Sequence, residues 1–176
     1  MEYMFRDLKS NEIDVRVNTV NEKGVTLLLY KDARVDQDIL DETVGAMNWQ
    51  RKHTRDNANC IVEIWDKEKA QWVSKEDTGT ESYTEKEKGL ASDSFKRACF
   101  NWGIGRELYT SPFIWIPADK CKIVNKEGKF TTYDKFSVEA IEIVNKEITG
   151  LAIKNQNNVR VFLYKKVTNE SNRKSN

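Results

Sequence analysis

The chain has 176 residues, of which 39% are hydrophobic, 10% aromatic and 32% charged, and its formal net charge is +1. That is enough apolar material for one compact domain with a real core. The near-neutral balance excludes a nucleic-acid binder that relies on bulk positive charge, so any such surface must come from segregated charge. No apolar run approaches the roughly 18 residues that span a bilayer. The opening Met1-Glu2-Tyr3-Met4-Phe5-Arg6-Asp7 lacks the apolar segment of a signal peptide, which predicts a cytoplasmic protein with no membrane partner. The cysteines, Cys60, Cys99 and Cys121, are odd in number and lack metal-ligand spacing, and they read as reduced, buried thiols. His53 is the single histidine, which excludes a His-rich metal site.

Residues 3–9 read as a short helix. Glu12 to Val17 alternates polar and apolar, as a strand does, and Asn21-Glu22-Lys23-Gly24 turns into a return strand over Val25 to Tyr30. Asp36 to Met47 places Ile39, Leu40, Val44 and Met47 at helical spacing, with acids early in the segment. Residues 48–54, 59–66 and 71–77 read as three strands separated by turns at Asn57-Ala58-Asn59 and Asp66 to Lys69. A second helix follows, with Thr84 and Glu87 spaced as a capping box. Gly103 and Gly105 end it. Pro112 and Pro117 mark an irregular connection, and two hairpins turn at Asn125 to Gly128 and at Gln156-Asn157-Asn158. The expected fold class is α+β: an N-terminal hairpin, then a helix–three-stranded antiparallel sheet–helix core over 30–108. A β-rich hairpin appendage over 112–166 completes one domain of residues 1–166, and 167–176 reads as a disordered basic tail.

The second helix carries the functional argument. At about 100° per residue, and with Ala91 as zero, Phe95, Ala98 and Trp102 lie within about 40° of it, an apolar stripe. Lys96 falls near 140° and Arg97 near 240°, with Phe100 between them near 180°. Two cations flanking an aromatic ring on the outward face suit phosphates and a stacked base. Asp93 stands four residues before Arg97 and three before Lys96, so an ordinary solvated ion-pair face fits the same spacing. Phe100 could equally pack at a subunit interface. Gly103-Ile104-Gly105-Arg106 follows the helix, whereas a phosphate loop precedes one, so it reads as helix termination.

Asp77-Thr78-Gly79-Thr80-Glu81-Ser82, then Lys88-Gly89-Leu90-Ala91-Ser92-Asp93-Ser94-Phe95-Lys96-Arg97-Ala98, then Trp102-Gly103, resembles the signature of the Rad-fifty-two single-strand annealing family, in particular its phage and prophage (Sak-type) and DdrA-type branches. Upstream, Tyr30-Lys31-Asp32-Ala33-Arg34-Val35 and Gly45-Ala46-Met47-Asn48-Trp49 are similar to the family's tyrosine-to-arginine-valine entry and glycine-asparagine-tryptophan exit. Together these cover about Tyr30 to Leu108, and residues 112–176 have no counterpart. The resemblance implies ATP-independent binding of single-stranded DNA and annealing of complementary strands in phage or bacterial recombination and repair. It implies no cofactor and no enzymatic activity. The implied partners are single-stranded DNA, copies of the chain in a ring or filament, and a single-strand binding protein or an exonuclease. By position, Arg34, Lys96 and Arg97 match the family's inner-groove DNA-contacting residues. Better-known members carry a further arginine where this sequence has Phe100.

Arg51, Lys52, His53 and Arg55 form a second basic cluster that could line a groove or a second-strand site, or could be a solvated hairpin tip. A double-stranded nucleic-acid binding module has a similar helix–three-strand–helix order, but it places its basic residues at a helix start. A metal-dependent nuclease is the rival from enzyme chemistry, with Asp32, Asp36, Asp38, Asp41 and Glu42 as dense acids and Glu127-Gly128-Lys129 as a nuclease-like Glu-x-Lys. A purely structural assembly protein is a further alternative, given the aromatic content.

Overall fold

The computed structural model describes residues 3–80 and 86–167. In chain order the strands are β1 (Asp14–Asn21), β2 (Gly24–Tyr30), β3 (Trp49–Thr54), β4 (Asn59–Asp66), β5 (Gln71–Thr78), β6 (Ile114–Pro117), β7 (Ile123–Lys126), β8 (Lys129–Thr132), β9 (Phe136–Val144), β10 (Glu147–Asn155) and β11 (Arg160–Lys165). The helices are α1 (Ala33–Val44) and α2 (Lys86–Asn101), with short 3-10 turns at Ser10–Glu12 and Arg106–Thr110. The chain divides into two compact units, Met1–Leu8 with Lys31–Arg106, and Lys9–Tyr30 with Glu107–Asn176. No helix among the described residues is long and apolar enough to cross a membrane.

The expected α+β class, with a helix–three-stranded sheet–helix core and a C-terminal hairpin appendage, is overturned. Strand makes up 46% and helix 21%, and the largest sheet is six-stranded, barrel-like and nearly closed. Its order is β11-β10-β9-β1-β2-β6, and β11 and β6, its two ends, approach each other. The physical reason lies in long-range pairing. The N-terminal hairpin does not stand alone: β2 pairs with β6 and β1 with β9, so hairpin and C-terminal strands form one sheet. Its inner face buries Val25, Leu27, Ile114, Ile116, Phe136, Ile148, Leu151, Ile153 and Val161 around a core of its own. The Ile114-Trp115-Ile116-Pro117 segment, expected as irregular connection, is strand because its isoleucines face that core while Pro117 sits at the strand end, where no ladder donor is needed.

In the other unit, β3-β4-β5 form an antiparallel sheet. Cys60, Val62 and Ile64 of β4 are buried on one face, and α2 packs against β4 and β5. Leu90, Phe95, Ala98 and Cys99 of α2 are buried, as are Ile39 and Leu40 of α1. Residues 3–9 form no helix. Instead Phe5 and Leu8 are buried in extended chain, Tyr3 donates to the Trp65 carbonyl, and Arg6 pairs with Glu42. These tertiary contacts override a weak local preference. The Thr84–Glu87 capping box and the tail beyond residue 167 lie outside the described residues.

The end of α2 has the geometry that the glycines imply. Ile104 N donates to the Cys99 carbonyl at 3.2 Å and Gly103 N to Phe100 at 3.0 Å, a Schellman pair with Gly103 at φ 98°. Gly105, at φ 73°, leaves room for a side chain from the other end of the unit: a Cβ there would stand 2.2 Å from Lys31 Cε.

Candidate nucleic-acid interface

The entry to α1 is built around one carboxylate. Asp32 caps the helix by accepting from Arg34 N at 2.8 Å, and its two oxygens also accept from Arg34 Nε and Nη2 at 2.9 and 3.2 Å. The Arg34 hydrogen bonds, with Lys96 adding its charge, hold the Asp32 carboxyl at about 2. The Lys96 charge also acts on Asp36. Arg34 binds Asp32 directly and the Lys96 charge acts on the same carboxylate, so both segments expected to bind DNA bear on this one side chain. The Arg34 side chain is 83% exposed.

Arg97 takes the other flank. Its Nε donates to Asp77 Oδ1 at 3.4 Å, and Asn101 Nδ2 reaches Asp77 Oδ2 at 3.3 Å. The acidic-glycine turn after β5 is therefore a docking site for α2. Gly79 completes it: a Cβ at that residue would stand 2.7 Å from Ser94 N. Asp93, spaced to pair with Lys96 or Arg97, accepts from Thr80 N at 2.8 Å instead. The Gly45–Trp49 segment is structural as well. Asn48 Nδ2 caps the Val44 carbonyl at 2.7 Å, and Trp49 Nε1 donates to Asp41 at 2.6 Å.

Phe100 is half-buried and lies one turn beyond Lys96. The Arg106 guanidinium sits 5.6 Å from its ring centroid while donating to the Phe100 and Asn101 carbonyls at 2.9 and 3.0 Å. Arg106 thus places a cation against the Phe100 ring. Sequence reasoning missed it, because a residue beyond a helix end has no fixed place on a helical wheel. It also missed Lys75, whose ammonium lies 4.6 Å over the Trp102 ring and donates to the Asn101 carbonyl at 2.8 Å. Both cations complement the negative end of α2. They line a cleft of roughly 340 Å3 with Tyr3 and Trp102.

The second basic cluster is not brought together. Strand alternation sends Arg51 to the α2 side, where its guanidinium lies 4.7 Å from the buried Phe95 ring. Lys52 points to the opposite face and pairs with Glu63 at 2.9 Å. Arg55 occupies the β3–β4 turn at φ 52°. Burial and the Arg51 charge lower the pKa of His53, which favours its neutral ring.

Four of the five helix acids expected for a nuclease have other occupations. Asp36 is buried against Lys31, Asp32 caps α1, Asp41 accepts from Trp49, and Glu42 pairs with Arg6. Among the described residues no cluster of three His, Cys, Asp or Glu side chains could hold a metal ion. Cys60 and Cys99 are buried and Cys121 half-buried, all as free thiols. Comparison with family models, with curated proteins and with solved structures finds no match.

Proposed function

We propose that this chain binds single-stranded DNA and anneals complementary strands without a nucleotide cofactor, in phage or bacterial recombination and repair. The observation that carries this reading is that Arg34 binds Asp32 while the Lys96 charge acts on the same carboxylate, one cation from each of the two segments that resemble the annealing family. Arg97 on the other flank of α2, and Phe100 with Arg106 at its C-terminal end, add charge and a ring.

Annealing requires no bond-making group. It requires lowered repulsion between two polyanions while base edges stay accessible, and cations that hold the backbone do both. Arg34 and Arg97 are each paired with a carboxylate. Solvent-exposed pairs of this kind are weak, so a phosphate competes readily for the guanidinium. Copies of the chain side by side would lengthen the surface that one near-neutral subunit offers.

The test mixes complementary labelled oligonucleotides with the protein, without ATP, and times duplex formation. Acceleration is expected, reduced about tenfold or more in Lys96→Ala/Arg97→Ala and in Arg34→Ala with melting curves unchanged. Three phosphate contacts predict a log–log salt slope of about −2 for single strands. Wild-type rates equal to the protein-free control, or tighter binding to duplex than to single strands, would overturn the proposal.

A further inference from the structure

The hairpin of β7 and β8 is a two-stranded sheet of its own, and such hairpins are marginally stable in water. Its turn is well made. Glu127 and Gly128 have φ of 52° and 86°, as a type I′ turn requires, and Asn125 Oδ1 accepts from Gly128 N at 2.9 Å. Its base is tied by Asp134, which accepts from Lys122 N at 2.6 Å and from Gln156 at 2.8 Å.

The surface chemistry works against that stability. Lys126 and Lys129 stand directly opposite each other in the register, and like charges in that position destabilise a hairpin. The register carried outward puts Lys122 opposite Tyr133, and alternation places all four side chains on one face. The lysines are exposed, and none of the ion pairs among the described residues involves them. Tyr133 is 67% exposed. The Lys126 ammonium lies 5.2 Å from the centroid of its ring and donates to its hydroxyl at 2.5 Å.

We infer that the β7–β8 hairpin is a second nucleic-acid contact, in which Lys122, Lys126 and Lys129 hold phosphates of a single strand and Tyr133 stacks on a base. The inference rests on the single-strand reading above and adds a site in residues for which that reading has no counterpart. A polyanion relieves the Lys126–Lys129 repulsion. An acidic protein or a lipid surface would do the same, but neither uses the open face of an aromatic ring set among the ammonium groups, whereas every base has a face to stack.

The experiment measures binding of labelled oligothymidylate, and of an abasic oligonucleotide of equal length, by fluorescence anisotropy across a salt series. Lys122→Gln/Lys126→Gln/Lys129→Gln should weaken both ligands at least tenfold and flatten the salt slope by about 2. Tyr133→Ala should weaken oligothymidylate about tenfold and leave the abasic strand unaffected, while Tyr133→Phe retains affinity. Circular dichroism checks that each variant keeps the wild-type melt. A wild type that binds neither ligand overturns both this inference and the reading beneath it. A wild type that binds, with affinity and salt slope unchanged in the lysine and Tyr133→Ala variants, overturns the hairpin site alone.

Discussion

Asp36 has no exposed surface, and its charge is met by Lys31, itself buried. Burial pushes the Asp36 carboxyl from 3.8 up to about 6, although Lys31 pulls it back. Between those values the folded state holds a proton that the unfolded chain releases. The contribution of this group to stability therefore falls as pH rises through that window and is level above it. Removing one partner strands the other: Asp36→Leu alone should cost about 3–5 kcal/mol by leaving the Lys31 ammonium buried, while Lys31→Met/Asp36→Leu should recover most of the loss. The double variant should also gain on the wild type as pH rises from 3.8 to about 6. Urea titrations across that range check both points, and a double variant no more stable than the single would refute the pairing. The pair also explains Gly105, since the Lys31 stem occupies the space of a Cβ there. At this scale the sequence shows Lys31 and Asp36 as two more charges near a helix start. What makes them a buried pair is the Gly103–Gly105 turn folding over them, which no local pattern encodes.

The element that depends most on one residue is α2, held to β5 through Gly79. A methyl group at Gly79 would meet backbone atoms of Ser94 and Leu90 at 2.7–3.1 Å, and backbone cannot swing aside as a side-chain tip can. Gly79→Ala should cost about 1–3 kcal/mol, read as a lower urea midpoint, and an unchanged midpoint would show that the contact is not needed. Individual strands and helices were largely legible, because period two and period 3.6 are local properties. Their partners were not. Nothing near β1 or β2 announces that β6 and β9, about a hundred residues on, complete their sheet, so the N-terminal hairpin read as separate and the C-terminal strands as an appendage. The site shows the same division. The helical wheel placed Lys96, Arg97 and Phe100 away from the apolar stripe, and in α2 all three are half-buried. Alternation along β3 was enough to separate Arg51 from Lys52, but reading them as a run of cations concealed it. The pairing of Arg97 with Asp77 and the placing of Arg106 over Phe100 are tertiary, and only the folded chain shows them.

In the whole molecule, residues 31–106 are an insertion into the sequence of the six-stranded unit. Leu29 and Leu108 line the same groove, so the ends flanking the insertion lie near each other within that unit. A chain joining Tyr30 to Glu107 through a short Gly/Ser linker should fold, since its core is self-contained. It should give a β-type circular dichroism spectrum with almost no helix, melt cooperatively and lack annealing activity. Failure to melt cooperatively would mean that the sheet needs the insertion. The same interruption governs how the protein is made. Strands β1 and β2 emerge early, with Val15, Val17, Leu27 and Leu29 facing a core whose other strands do not yet exist. At 5–20 residues per second, β6 and β9 follow about 4–20 seconds later. Throughout that interval the hairpin has two open edges and an apolar face, the surface that pairs most readily with a neighbouring nascent chain. Vulnerability to aggregation is therefore set by translation speed and ribosome spacing, well before the stability of the finished sheet has any part in it.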